Sequence, residues 1–223
     1  MQKFATAAPV SAVLDIPAGR IRFVAADRAE TTVEVVPSDA SKGRDVKAAE
    51  QVTVACADGV LRIAAGPAGN RLLGSSGSVE VTVQLPAGSS VEAKVALAEF
   101  QGAGRLGDVT FEGSKATVTL EETASARLTL QSGDVTVGRL SGPSRIDTQK
   151  GDIRVTDALA GAVELRTEHG DITVAAAQGV SATLEADTAY GRIHNSLLNT
   201  EGAGAGLSLR ATTAYGDITA RSN

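Results

Sequence analysis

The chain has almost no aromatic side chains. Tryptophan is absent, and phenylalanine and tyrosine together supply only 3% of the 223 residues. The core must therefore be built from valine, leucine, isoleucine and alanine, which suit a thin interior between closely spaced strands. A single cysteine, Cys56, excludes a disulfide framework within the chain.

An excess of positive charge and long apolar runs are also missing. The formal net charge is −5. A chain with this charge is not expected to bind nucleic acid or an anionic membrane through its overall electrostatic attraction. No stretch reaches the roughly 18 consecutive apolar residues that span a bilayer. The opening residues M-Q-K-F-A-T-A-A-P-V lack the hydrophobic run of a signal peptide. We therefore expect the chain as written to be cytoplasmic.

The first half of the chain, residues 1–105, consists of stretches in which apolar and polar residues alternate. Such alternation predicts half-buried strands. Asp58-Gly59 predicts a tight turn between two of them, and the charged segment 40–51 predicts a connector with one short helical piece. We predict that this N-terminal β-strand region continues into the rest of the fold. The six stretches are 11–16, 20–24, 32–36, 52–56, 60–63 and 79–85.

From residue 106 to residue 223, a Gly-Asp pair recurs. The gaps between successive glycines are 26, 18, 19, 21 and 25 residues. A repeat of about 20 residues with insertions is the mark of a solenoid, in which each repeat forms one coil of the stack. We therefore predict an all-β fold, a β-solenoid with short Gly-Asp turns, over 106–223. The glycines are Gly107, Gly133, Gly151, Gly170 and Gly216, with Gly191-Arg192 as a variant.

Each repeat contains two short strands, one on either side of the glycine. In the repeat around Gly170, alternation places Val163, Leu165, Ile172 and Val174 toward the core. A threonine stands three residues before the glycine in four repeats, so stacked coils would align a threonine column. The final stretch, D-I-T-A-R-S-N, ends polar, and we expect it to cap the open edge of the last coil. The threonines are Thr148, Thr167, Thr188 and Thr213.

The recurring aspartates allow two interpretations. One is a carboxylate column that binds a cation such as Ca²⁺, because hard cations prefer several oxygen ligands; its weak candidates are Asp134, Asp152 and Asp171. The other is that an aspartate after glycine stabilises the corner by accepting hydrogen bonds from backbone N–H groups. We favour the second, and we predict that Arg192 lies between Asp171 and Asp217 and relieves their repulsion. We expect no metal or other cofactor.

Tyr190 and Tyr215 occupy equivalent positions, one residue before the glycine of their repeats. We predict that they stack across neighbouring coils, and that together with Arg192 they are the candidate binding residues. The two histidines, His169 and His194, fall on different sides of the corner, and two histidines lack the third ligand of a metal site. No nucleophile-elbow signature appears, so no catalytic residue is assigned.

Several stretches, taken in order, resemble a known bacterial family. Repeated S-G-D-V-x-V units follow I-P-A-G-R-I and L-P-A-G-S stretches. This order resembles the bacterial β-strand-repeat domains of unknown function that are called putative adhesins, and the resemblance covers nearly the whole chain. It implies a right-handed parallel β-helix or β-roll, with no enzymatic residues to carry over. Since some members are associated with the cell envelope, it also implies envelope association.

These observations predict a non-enzymatic interaction or scaffold module. It would bind an unidentified protein or cell-envelope partner, and no nucleic acid, through columns of exposed side chains. Two alternatives stay open: an enzyme that acts on polysaccharide from the solenoid face, and a structural protein that polymerises through its coil ends. A groove with clustered acids would favour the enzyme, and filaments joined at the coil ends would favour the polymer.

Overall fold

The computed structural model describes residues 1–66 and 77–223. The described chain consists mostly of β-strands, with one α-helix and one short 3-10 helix. Neither of these helices is long and apolar enough to cross a membrane. By its internal contacts the chain divides into two compact units, Met1–Ala116 and Thr117–Asn223. The all-β prediction is therefore confirmed for the described residues.

The first unit contains the strands that the alternating stretches predict. The charged connector holds the α-helix, in which the buried carboxylate of Asp45 accepts a hydrogen bond from the N–H of Ser78 at 3.0 Å. Strand β8 continues along the chain into the second unit. The predicted boundary near residue 105, and the continuity of the N-terminal region with the solenoid, stay predictions. The elements are β1 (Gln2–Ala5), β2 (Ser11–Asp15), β3 (Ala18–Ala26), β4 (Glu30–Pro37), α1 (Gly43–Gln51), β5 (Thr53–Ala57), β6 (Val60–Ala64), β7 (Val79–Pro86) and β8 (Ser90–Ser132).

Parallel ladders hold three coils together in the first unit. β2 pairs in parallel with β6 on one side and with β8 on the other, and β3 pairs in the same way with β7 and β8. The coil that comes first along the chain, β2–β3, is therefore held between the two that follow it. Antiparallel strands extend the ladders beyond β6 and β7: β5 pairs with β6, β4 pairs with β7, and β1 pairs with β4.

Local features of the first unit follow from its sequence. The hairpin between β5 and β6 turns at Asp58-Gly59, where both φ angles are positive, 51° and 74°; the predicted tight turn is confirmed. Three of the few aromatic residues pack together in the core. The rings of Phe23 and Phe100 are 5.7 Å apart, and those of Phe100 and Phe111 are 5.0 Å apart.

The second unit is built from five coils of two strands each, joined at a glycine corner. The first coil is formed by the end of β8 and by β9, and the next four are β10–β11, β12–β13, β14–β15 and β16–β17. A 3-10 helix, Gly202–Gly204, lies between the fourth and fifth coils. The strands are β9 (Val135–Leu140), β10 (Ser144–Lys150), β11 (Ile153–Ala158), β12 (Gly161–His169), β13 (Ile172–Ala176), β14 (Ala182–Tyr190), β15 (Ile193–Ser196), β16 (Leu207–Tyr215) and β17 (Ile218–Ser222).

The order of coils in the second unit differs from their order along the chain. β16 pairs in parallel with both β12 and β14, and β17 pairs in parallel with both β13 and β15. The fifth coil therefore lies between the third and the fourth, and the fourth coil, β14–β15, is the outermost. We call it the end coil. The expectation that D-I-T-A-R-S-N caps the last coil is wrong, because β17 is paired on both edges.

Alternation sets the core of this unit as predicted. Val163, Leu165, Ile172 and Val174 are each at most 1% exposed. Their neighbours in the stack are apolar as well, since Val163 pairs with Leu209. Each coil thus buries a thin row of aliphatic side chains against the coils beside it.

The Gly-Asp pairs of the second unit form corners between strands, which confirms the predicted turns there. At Gly170 a Cβ atom would lie 2.1 Å from the carbonyl oxygen of Gly151 in the next coil, so only glycine fits. Gly107-Asp108 is an exception to the prediction, because it lies inside strand β8. Its place in the sequence pattern resembles the corners, but the backbone continues there as a strand.

Candidate interaction site

The corner aspartates form a hydrogen-bonded ladder along the second unit. Each carboxylate accepts, through Oδ1, the backbone N–H that follows the glycine of the next coil in the stack. The N–H of Asp152 donates to Asp134 (2.9 Å), and the N–H of Asp171 donates to Asp152 (2.8 Å). The N–H of Asp217 donates to Asp171 (2.7 Å). The interpretation of these aspartates as corner-stabilising acceptors is confirmed by this geometry.

The same ladder includes the candidate cation ligands Asp134, Asp152 and Asp171. In each of them one carboxylate oxygen already holds a backbone donor. Among the described residues no group of three or more His, Cys, Asp and Glu side chains is placed to hold a metal ion. Cation binding by this column stays a prediction.

Arg192 occupies the end of the ladder, in the end coil. Its backbone N–H donates to Oδ1 of Asp217 (2.9 Å), and its guanidinium donates to Oδ2 at 2.8 and 3.2 Å. These hydrogen bonds lower the pKa of Asp217 and raise the pKa of Arg192. The predicted position of Arg192 between Asp171 and Asp217 is wrong, because the fifth coil is inserted and those two aspartates are direct neighbours.

The predicted threonine column is confirmed. Thr148, Thr167, Thr213 and Thr188 lie in register on consecutive strands of the stack. Three of the hydroxyls donate to the corner carbonyl of the neighbouring coil at 3.0 Å, Thr167 to Gly151, for example. Thr148, Thr167 and Thr213 are buried and Thr188 is half-buried. The column therefore stabilises the corners from the side of the core.

Three planar rings form a stack beside the corner. His169, Tyr215 and Tyr190 each precede a corner glycine and lie in register. The rings of His169 and Tyr215 are 4.8 Å apart and within 9° of parallel, and those of Tyr215 and Tyr190 are 4.9 Å apart and within 5° of parallel. This spacing equals the distance between neighbouring strands. The predicted stacking of the two tyrosines is confirmed.

The ring stack opens to solvent at the end coil. Tyr190 is 67% exposed and Tyr215 is 51% exposed. The side chain of Arg192, two residues after Tyr190, is 88% exposed even though it pairs with Asp217. The structure thus brings the three predicted binding residues, Tyr190, Tyr215 and Arg192, to one end of the second unit. Their role in binding stays a prediction.

A charge column runs across the same strands on the outer face. Arg145, Glu164, Arg210 and Glu185 lie in register on β10, β12, β16 and β14. Arg145 contacts Glu164 at 2.9 Å, and Arg210 contacts Glu185 at 2.8 Å. Hydrogen bonds from Arg210 lower the pKa of Glu185. From Arg145 to Glu185 the sign of the charge therefore alternates, and the row ends in a carboxylate at the end coil; on its other side Arg145 is next to a second arginine, Arg127.

The end coil is covered on one side only. Within the described residues β14 pairs only with β16, and β15 pairs only with β17. Positions that are fully buried in the inner coils are therefore open here. Leu184 is half-buried and Ile193 is 46% exposed, whereas Ile218, the neighbour of Ile193 in the fifth coil, is fully buried.

Sequence reasoning missed two parts of this site. It considered His169 only as a possible metal ligand, although His169, Tyr190 and Tyr215 share the position before the corner glycine. This shared offset from the glycine was the sequence signal for a stack of three rings. It also missed the charge column, since the pairing of Glu185 with Arg210 depends on which coils are neighbours.

Comparison with known proteins relates the whole arrangement to a family. The model of the family described as Toastrack DUF4097 matches residues 13–222. A putative adhesin from Bacteroides fragilis superposes with a TM-score of 0.59 at 14% identity, over 98% of this chain and 95% of its own. A putative adhesin from Parabacteroides distasonis gives a TM-score of 0.55 at 17% identity, with the same coverage. At such identities the likeness shows a shared fold. No curated protein matches the chain.

Proposed function

This chain belongs to the Toastrack DUF4097 family, and we propose that it is a non-enzymatic interaction module. Its rigid stack of coils holds exposed side chains in columns, and a partner binds where those columns reach the end coil. The partner is a protein or another component of the cell envelope. The names of the structural neighbours, putative adhesins, are consistent with this role.

The observation that carries the proposal is the exposed ring stack of His169, Tyr215 and Tyr190. Tyrosine is a frequent contact residue at interfaces because it offers a large apolar ring with a polar tip and little conformational freedom. Here two such rings are fixed by stacking, with Arg192 beside them. Little further order has to be imposed on them when a partner binds.

The exposed acids support an interaction role over catalysis. Glu164 and Glu185 are held in ion pairs with arginines, and the corner carboxylates are engaged by backbone N–H groups. Sugar-cleaving enzymes use two carboxylates that flank a bond, one of them with a raised pKa. Glu185 of the end coil and Asp217 of the neighbouring fifth coil both have a lowered pKa.

The proposal includes a handedness for the coils. Parallel strands joined by a crossover connection are right-handed in nearly all proteins, because the strand twist favours that path. The second unit consists of parallel strands joined in this way, so we assign it a right-handed winding, as in a parallel β-helix.

A site-specific cross-linking experiment tests the proposed function. Tyr190 is replaced by the photoreactive analogue benzoylphenylalanine, which keeps an aromatic ring at that position. The protein is then irradiated with an envelope fraction of its native cell. A control protein carries the same analogue at Gln131, which is exposed on β8, four strands from β14. We expect a discrete adduct from position 190 and none from position 131. Adducts from neither position, or equal adducts from both, would contradict the proposal.

A further inference from the structure

The free edge of β14 points to a more specific partner. We propose that this edge takes up an extended segment of a partner polypeptide as an additional strand, and that basic side chains of the segment lie beside Glu185 and Asp187. The inference rests on the proposed function, because it specifies how the end coil binds. The inference goes beyond the proposed function by naming the backbone of β14 as the main contact with the partner.

The backbone of β14 is arranged for strand addition. The N–H of Gly216 donates to the carbonyl of Tyr190 at 3.0 Å, so the backbone polar groups of Tyr190 face β16. Successive strand residues direct these groups to opposite edges of the strand. The N–H and C=O groups of Glu185, Asp187 and Ala189 therefore face the free edge. No other described strand pairs with this row of groups, and such a row is the template that an added strand completes.

Charge selects what can occupy this edge. The charge column alternates in sign from Arg145 to Glu185 and ends on a carboxylate. A residue added beside Glu185 would continue the alternation if it were a cation. Asp187 lies on the same outer face, and its neighbour on β16 is the uncharged Thr212. Two adjacent acids at the edge thus favour a segment with lysine or arginine at alternate positions.

The core-facing side chains of β14 favour apolar residues between the cations of the added segment. Leu184 and Ala186 are only half-buried, although the equivalent positions of β16, Leu209 and Ala211, are buried. An added strand would remove this apolar surface from water. The expected segment therefore alternates apolar and basic residues over about the length of β14, which has nine residues.

A second copy of the chain fits this edge poorly. In a two-fold pairing of β14 with itself, Glu185 and Asp187 would face the same acids of the other copy. Like charges directly opposite one another destabilise strand pairing. The edge therefore disfavours the pairing of two copies and favours a basic partner.

Peptide binding to the full chain tests the inference. The probe is a fluorescent nine-residue peptide in which valine and arginine alternate, and binding is followed by fluorescence anisotropy. One control peptide has glutamate in place of arginine. A second keeps the side chains but carries N-methyl groups on all backbone nitrogens, which blocks strand pairing on both edges of the peptide. We expect binding of the arginine peptide only.

Two matched variants locate the binding. Asp187→Lys reverses the charge at the free edge, and Glu168→Lys also reverses an exposed acid, on β12, which is paired on both sides. Asp187→Lys should weaken binding of the arginine peptide about tenfold and allow the glutamate peptide to bind. Glu168→Lys should do neither. If Asp187→Lys fails to fold, Asp187→Asn should still weaken binding in the same direction.

Each unexpected outcome has a definite meaning. Equal losses in the two lysine variants would show that net charge alone attracts the peptide, and binding of the N-methylated peptide would show that no strand is added. Either result overturns the inference. An adduct at Tyr190 without peptide binding overturns strand addition but leaves the proposed function standing. No adduct and no peptide binding overturn both.

Discussion

The two residues of each Gly-Asp corner contact different neighbours in the stack. The glycine leaves room for the carbonyl oxygen of one adjacent coil, as Gly170 does for Gly151. The aspartate accepts an N–H from the coil on the other side, as Asp171 does from Asp217. A corner with these two residues therefore joins three coils at once, which explains why the pair recurs.

A side chain at the corner glycine should be costly. Gly170→Ala places a Cβ atom 2.1 Å from the oxygen of Gly151, at a φ of 153°. We expect a loss of at least about 2 kcal/mol in the free energy of unfolding, measured by urea denaturation. Gly206→Ala is the control, because a Cβ atom there meets nothing within 4 Å. Equal effects of the two substitutions would show that the close approach is unimportant.

The aspartate should matter as an acceptor more than as a charge. Asp171→Ala leaves the N–H of Asp217 without its acceptor, and we expect a loss of about 1 kcal/mol in the free energy of unfolding. Asp171→Asn keeps an acceptor oxygen and should retain most of the stability. Urea denaturation of both variants at neutral pH checks this. A larger loss for asparagine than for alanine would contradict the acceptor role.

Much of this residue-scale organisation was predictable. The offset of each residue from the corner glycine gives the threonine column, the aspartate ladder and the tyrosine pair, because stacked coils align equal offsets. His169 has the same offset as the two tyrosines, but a histidine at a turn does not by itself predict that its ring stacks. The role of Gly107-Asp108 could not be predicted, since the same two letters fit both a corner and a strand.

At the scale of strands, the outermost coil and the last coil are different elements. Leu209 on the fifth coil is fully buried between Val163 and Leu184, whereas Leu184 on the end coil is half-buried. Leu209→Ala should therefore lower the free energy of unfolding by about 2–5 kcal/mol, and Leu184→Ala by less than half as much. Chemical denaturation of the two variants checks the order. The reverse ranking would contradict the inserted coil.

Two ion pairs attach the end coil to the fifth coil, and acid should release them. Hydrogen bonds from Arg210 and Arg192 lower the pKa of Glu185 and Asp217 below their ordinary values of 4.5 and 3.8. A carboxylate with a lowered pKa in the folded state contributes stability above its ordinary pKa, and this contribution is lost as the pH falls through the folded-state value. The pairs are therefore intact at neutral pH and lost in acid.

The matching variant removes both arginines. Arg192→Gln combined with Arg210→Gln should be less stable than the wild type at pH 6, and the difference should shrink below about pH 4. Thermal denaturation across this range measures it. Arg154→Gln is the control, because Arg154 forms no ion pair with any described residue. A difference that is independent of pH would contradict the assignment.

The order of the coils could not be read from the sequence. Alternation decides which face of a strand is buried, but it does not decide which strand lies beside it. The five coils of the second unit share the same alternation, and four of them share the Gly-Asp corner, so alternation alone does not distinguish β16 from β14 as the neighbour of β12. Only the tertiary pairing decides between them.

For the whole molecule, the free edge raises the question of self-association. The acids on β14 should keep copies apart, as charged side chains do on the exposed edges of other β-proteins. Asp187→Val should therefore promote association, visible by light scattering as a mass that grows with protein concentration. Asp147→Val makes the same change on a strand paired on both edges and should leave the mass constant. If the mass of the wild-type protein itself grew with concentration, this would instead favour the alternative of a structural protein that polymerises through its coil ends.

The position of the fifth coil between the third and the fourth affects how the protein folds while it is synthesised on the ribosome. The N–H of Asp171 reaches an acceptor 19 residues earlier in the chain, whereas that of Asp217 reaches one 46 residues earlier. The slot between β12 and β14 must stay open until β16 has been synthesised and has left the exit tunnel. Until then this edge of β12 has no partner strand, and an unpaired edge can pair with a wrong strand.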